Sequence, residues 1–288
     1  MAAATAAAST ATAIYSRYTY TLGRSLYVPI TSRCNTIPLP STRGPGFLLP
    51  RGVADALIQV RNADCPGSVR TDTYDGYMED DRVHLPPYNI PLVNALYPVG
   101  DDLSQHLEQQ RQIAADQGSE EGIDDIDDGL HPSITTLVDE VSSRLAIAKH
   151  NFDQVVIAGE GEPTLRMDAL LAIALTVQAY RQKHEGNIKT KQSDKRRRPY
   201  LPIRVITNGL CFGVPNLGYS PYNKDRNGVV VPMLRHVVLR DMHDMGISRI
   251  SVALNTANRH EYDLLMEPHC GGEMLPGTAH DIVCEFIM

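Results

Sequence analysis

"DQVVIAGEGEP", Asp153 to Pro163, has an unbroken β-branched body and then halts on two glycines, two carboxylates and a proline. A short apolar run without polar alternation reads as a strand buried on both faces. The stretch after it, "LRMDALLAIALTVQAYRQKH", places apolar residues at nearly every i, i+3 and i+4, the pattern of a helix with one buried face. Three further runs share this design: "SLYVPIT" (Ser25 to Thr31), "PIRVITNG" (Pro202 to Gly209) and "SRISVALN" (Ser248 to Asn255). Each run leads through a polar or glycine-containing turn into a helical pattern. The predicted helices cover Gly52 to Val60, Arg166 to Lys183, Val229 to Met245 and Arg259 to Met266. Strand and helix in alternation predict an α/β fold, with a parallel sheet joined by right-handed crossovers.

In such folds ligands bind beyond the carboxyl ends of the strands, so the strand exits are the candidate site. These exits are Cys34 and its loop, then Gly159, Glu160, Gly161, Glu162 and Pro163, then Thr207 and Asn208, then Asn255. Glycine lets a ligand approach the backbone closely, and exposed carbonyls accept from an ammonium group. Glu160 and Glu162 have the chemistry to bind a cationic amine or to serve as acid and base. The same carboxylates also suit a tight strand-to-helix turn, where they favour the coming helix N-terminus.

The chain has 288 residues, 42% hydrophobic and 21% charged, enough for a sizeable core. No run of apolar residues is long enough to span a bilayer, so no membrane segment is expected. A net charge of -7 disfavours a general nucleic-acid binder. Five cysteines, widely spaced, read as reduced thiols of an intracellular protein. Residues 1–24 are rich in Ala, Ser and Thr, with no acidic residue before Asp55. They read either as a disordered tail, in a cytoplasmic protein, or as an organellar transit peptide.

An insertion at about 61–150 separates the first two strand-helix units. It holds the acidic run "DQGSEEGIDDIDDG", expected to be a solvated loop rather than a cation site, and one predicted helix, "ITTLVDEVSSRLAIAKH". The basic run "KTKQSDKRRR", Lys189 to Arg198, reads as a flexible solvated loop.

A strand-exit cysteine loop, a strand ending G-E-G-E-P, then "ITNG" and "ISVALN" together resemble the radical S-adenosylmethionine superfamily. The branch that travels with TatD-type nucleases is the nearest in pattern. "EYDLLMEP", Glu261 to Pro268, resembles the helix after the fourth strand of that branch. The resemblance covers about Tyr20 to Met288 outside the insertion. It implies a parallel (β/α) partial TIM-like barrel over 25–288, here apparently truncated after the fourth strand-helix unit. It implies a pocket for S-adenosyl-L-methionine at the strand ends, with Gly159 to Pro163 meeting the ligand's amino group. It also implies a CxxxCxxC loop holding a [4Fe-4S] cluster, and here the chain departs. The three positions read Cys34, Pro38 and Ser41. Proline has no donor atom, and serine ligates only as an alkoxide that its high pKa disfavours, so Cys34 is expected to be a remnant.

The expected function is therefore a radical-SAM-like protein with a pocket for a small-molecule or nucleotide ligand and without the usual cluster ligands. Two alternatives remain: an active radical enzyme whose ligands come from elsewhere, such as Cys65 or Cys211, or a non-catalytic scaffold. His269, Cys270, His280 and Cys284 have the chemistry of a zinc site, but buried structural thiols and surface histidines are the more ordinary reading. With four strands, the last would show an unpaired edge, for which a protein partner or the insertion is the expected cover.

Overall fold

The computed structural model describes residues 17–38, 43, 46–64, 82–85, 132–148, 152–185, 201–210, 235–270, 273–274 and 279–288. Strands β1 (Tyr20–Leu22) and β2 (Ser25–Val28) form an antiparallel hairpin. The two-residue strand β3 (Leu49–Pro50) runs into helix α1 (Arg51–Asp64) and pairs with β4 (Arg82–Val83). Helix α2 (Ile134–Ala148) precedes β5 (Gln154–Ile157), which exits through a 3-10 turn (Pro163–Arg166) into α3 (Met167–Glu185). Then come β6 (Ile203–Thr207), α4 (Arg235–Asp244), β7 (Ile247–Val252) and α5 (Arg259–Met266). The short hairpin β8 (His269–Cys270) and β9 (Glu273–Met274) leads to α6 (Ala279–Ile287).

The main sheet has the order β1-β2-β5-β6-β7. Strands β2, β5, β6 and β7 are mutually parallel, and only β1 is antiparallel. All four predicted strands are present, each shorter than its apolar run. The extra strand comes from residues expected to be tail. "TYTLGRSLYV" alternates around Gly23, whose φ of +60° makes the tight turn, and Tyr20 stacks on Tyr27 across the pair with ring centroids 5.0 Å apart. Helix α1 continues past the expected Val60 to Asp64, because Arg61 and Asp64 continue the buried stripe of Leu57. Helix α5 matches its expected bounds, and its Asn258 cap explains why. The Asn258 side chain accepts from the backbone N–H groups of His260 and Glu261, satisfying donors that the first turn leaves open.

The core lies between the sheet and its helices. Leu26, Val28, Val155 and Ile157 meet Leu170, Ile173, Ala174 and Val177 of α3 and Leu137 and Val141 of α2, all fully buried. Val156, on the opposite face of β5, is also fully buried, so the central strand is covered on both sides. This accounts for the continuous apolar body of "QVVI". Among the described residues the sheet is open, with β1 at one edge and β7 at the other, and no closed barrel forms.

Candidate functional site

The carboxyl ends of β2, β5 and β6 are tied together by polar groups that the core cannot accept unpaired. Glu162 caps the 3-10 turn from an extended backbone position, with Pro163 at the first position inside it. Its Oε1 accepts from the Thr164 N–H at 3.0 Å, the Thr164 hydroxyl at 2.6 Å and the Thr207 hydroxyl at 2.7 Å. Its Oε2 accepts from the Asn208 N–H at 2.6 Å. Four donors converge on one carboxylate, three of them on Oε1. Glu162 is thus a clamp that fixes the exit of β5 to the exit of β6.

Glu160 faces a different partner. Its carboxylate forms a two-pronged pair with Arg61 of α1, Nε to Oε2 at 2.6 Å and Nη2 to Oε1, with both side chains buried. Burial raises the pKa of each glutamate above the ordinary carboxylate range; Arg61 opposes this at Glu160, and the four donors oppose it at Glu162. Between the two carboxylates lies Gly161. A Cβ there would come within 2.4 Å of the Arg33 carbonyl oxygen and 2.6 Å of the Ser32 carbonyl carbon. The glycine is required because the loop after β2 lies directly against it, and Glu162 donates its N–H to the Arg33 carbonyl at 2.7 Å.

That loop is the one carrying Cys34. Its inner half is fastened by Asp64 at the end of α1, whose Oδ2 accepts from the Ser32 N–H, the Ser32 hydroxyl and, at 3.3 Å, the Thr31 hydroxyl. Arg166 donates to the Ile30 carbonyl at 2.7 Å. Arg33, Arg61 and Arg166 are all buried with Asp64, Glu160 and Glu162, so the charges at this end of the sheet balance. Burial lifts the Asp64 carboxyl to about 6, against the pull of Ser32, Arg33 and Arg166. An acid whose folded pKa lies above its ordinary value near 3.8 favours the fold most when protonated. The contribution is full below pH 3.8 and fades as pH rises through 6. Relative to Asp64→Asn, the wild type is therefore expected to lose about 3 kcal/mol as pH rises from below 3.8 to above 6, read from denaturant unfolding at several pH values. A flat difference across that range would contradict it.

The outer half of the loop reaches the exits of β6 and α5. Asn208 Nδ2 donates to Asn35 Oδ1 at 2.6 Å and lies 3.8 Å from Cys34 Sγ. Asn35 Nδ2 donates to the Leu210 carbonyl at 3.4 Å, and the Ile37 N–H donates to the Met266 carbonyl at 2.7 Å. Cys34 Sγ also lies 3.2 Å from the Thr36 hydroxyl. Burial, with Glu162 and Glu160 adding to it, pushes the Cys34 thiol up to about 12, so at neutral pH it is a neutral thiol.

The chain thus brings together Cys34, Gly159, Glu160, Gly161, Glu162, Pro163, Thr207 and Asn208. Asn255 lies apart from this network, with Nδ2 2.7 Å from Met266 Sδ. Ser41, Cys65 and Cys211 fall outside the described residues, as do the acidic and basic runs and the side chains of His269 and Cys270. Cys284 and His280 are neighbours on α6, Sγ to Nδ1 at 3.7 Å. Among the described residues no group of three or more His, Cys, Asp or Glu could hold a metal ion. Sequence reasoning passed over Arg61, Asp64, Arg33 and Arg166. The signal for two of them was available: Arg61 and Asp64 follow Leu57 at +4 and +7, charged residues on an apolar stripe. No family model, curated protein or solved structure matches the chain.

Proposed function

We propose that this is a radical-SAM-like protein that binds an S-adenosylmethionine-type ligand at the carboxyl ends of its parallel strands, without iron-sulfur chemistry at Cys34. The observation that carries the reading is the Glu162 clamp, which joins the G-E-G-E-P exit to the T-N-G exit beside the cysteine loop. The strand order adds support. β2, β5, β6 and β7 lie side by side in chain order, the order expected of right-handed crossovers that all step one way, as in a partial TIM-like barrel.

A [4Fe-4S] cluster does not fit the residues present. Cys34 Sγ is engaged with Thr36 and Asn208, and Pro38, at the second ligand position, has no donor. For the S-adenosylmethionine-type ligand the chain's own groups divide the work. Glu160 is paired with Arg61 and Glu162 accepts from four donors, so both hold the turn rigid, whereas Gly159 and Gly161 are partly exposed. The backbone carbonyls of this turn are then the acceptors for an ammonium group, and Asn208 supplies an amide beside them. Such a ligand, when bound, would supply an adenosyl group and a sulfonium centre.

Calorimetry with S-adenosylmethionine on the full chain is expected to show one site, and anaerobic reconstitution to leave the protein without stoichiometric iron and sulfide. About four irons per chain, lost on Cys34→Ala, would restore a radical enzyme with ligands from elsewhere. Absence of heat with S-adenosylmethionine would favour a scaffold. One observation favours that second reading: Leu264, Leu265, Ile287 and Met288 are exposed on α5 and at the end of α6. Among the described residues no helix is long and apolar enough to cross a membrane.

A further inference from the structure

Tyr262 is fully buried, yet its hydroxyl has no hydrogen-bond partner among the described residues. A buried tyrosine hydroxyl ordinarily finds one, and leaving it unpaired is destabilising. Its ring is held firmly by Leu210, Met266, Ala279 and Val283 and meets His280 edge-on, with centroids 5.7 Å apart. The hydroxyl is therefore positioned by packing rather than by hydrogen bonding. Burial raises its pKa, and Leu210, which packs against its ring at the exit of β6, accepts from Asn35 through its carbonyl, so Tyr262 stands beside the strand exits. It remains protonated at neutral pH, so it is a donor.

The outer arm of the cysteine loop, Asn35 to Pro38, is joined to this helix at Ile37. Tyr262 and Met266 are one turn apart on the buried face of α5, and the Met266 carbonyl accepts from Ile37. Among the described residues the arm's other attachments are the two Asn35 bonds, to Asn208 and to the Leu210 carbonyl, and a 3.5 Å bond from Asn208 Nδ2 to the Thr36 hydroxyl. Its inner neighbours Thr31 to Arg33 are pinned far more strongly, by Asp64, by the Glu162 N–H and by the contact with Gly161. If the arm lifts while the inner half stays, the Asn208 amide and the Leu210 and Met266 carbonyls become available together. All three can exchange one polar partner for another at little net cost.

We propose that Tyr262 is a ligand-binding residue of this pocket, donating its hydroxyl hydrogen to an oxygen or nitrogen acceptor of the bound S-adenosylmethionine-type molecule once the Asn35–Pro38 arm has lifted. The inference rests on the proposed function and adds a residue to it. For Asn208, Leu210 and Met266, binding trades one partner for another. For Tyr262 it supplies a partner that the described residues of the free protein do not, so this bond is a net gain of the complex.

The test is Tyr262→Phe in the full chain. The thermal midpoint of the free variant is expected to equal or slightly exceed that of the wild type, because only an unpaired hydroxyl is removed. Its affinity for S-adenosylmethionine, by calorimetry, is expected to fall roughly tenfold, the loss of one hydrogen bond of about 1.4 kcal/mol. Repetition with 5′-methylthioadenosine, which lacks the amino-acid part, locates the acceptor. A similar fall puts it on the adenosine, and no fall puts it on the ligand's carboxylate; both support the proposal. Equal affinity of wild type and variant for S-adenosylmethionine overturns this inference and leaves the proposed function standing. So does a clear drop in the midpoint of the free variant, which would mean the hydroxyl already serves the fold. Binding by neither protein removes the proposed function, and this inference with it.

Discussion

Replacement of Glu162 by Ala is expected to lower the free energy of unfolding by about 4 kcal/mol, seen as a shift of the denaturant midpoint at unchanged slope. Four buried donors lose their acceptor at once: the Thr164 N–H and hydroxyl, the Thr207 hydroxyl and the Asn208 N–H. Each unsatisfied group costs about 1–3 kcal/mol, and partial entry of water into the space left by the side chain limits the total. Glu162→Gln keeps the shape and one acceptor oxygen but turns an amide NH2 toward one of the same donors, so about half that loss is expected. A loss below about 1 kcal/mol for the Ala variant would show that the β5 and β6 exits are held by something other than this carboxylate.

The second large effect is expected at the Arg61–Glu160 pair. Arg61→Met leaves a buried carboxylate without its cation and should cost about 3–5 kcal/mol. Glu160→Leu strands the guanidinium in the same way and should cost a comparable amount. The double variant, Arg61→Met with Glu160→Leu, should recover most of the loss, because two apolar side chains of similar volume need no partner in this setting. Denaturant unfolding of all four proteins closes the cycle. The coupling energy is the quantity of interest, and simple additivity of the two single losses would mean that the pair is not the reason either residue is buried.

These two clamps define the division between what a strand pattern can show and what it cannot. Four β-branched runs, each followed by a turn and a helical stripe, are enough to place β2, β5, β6 and β7 and the helices beside them. The reason is that burial on both faces leaves a continuous apolar signature. Asn258 before "RHEYDLLM" likewise announces the start of α5 locally, through its side chain. The strand exits were legible too, since in a parallel sheet the connectivity alone sends them to one end. β1 was missed because "YTYTL" has no apolar run of its own; it is a strand only because β2 offers an edge to pair with.

The roles of the exit residues were not written in the chain order. Glu160 and Glu162 are two positions apart and chemically identical, yet one pairs with an arginine from α1 and the other with donors from β6. Their division follows from which neighbour each side chain meets once the crossovers are made, and those neighbours lie 99 and 46 residues away along the chain.

The amino-acid sequence by itself determined the parallel α/β layout, the end of the sheet where polar residues gather, and the presence of a single thiol in the loop after β2. These are encoded by patterns a few residues long. Only the tertiary structure decided that both glutamates are structural clamps, that Asp64 pins the cysteine loop against Gly161, and that Tyr262 carries a buried hydroxyl without a partner among the described residues. A buried polar group must be satisfied by whatever the folded chain places within 3 Å of it, and that neighbour is fixed by packing, not by position in the sequence.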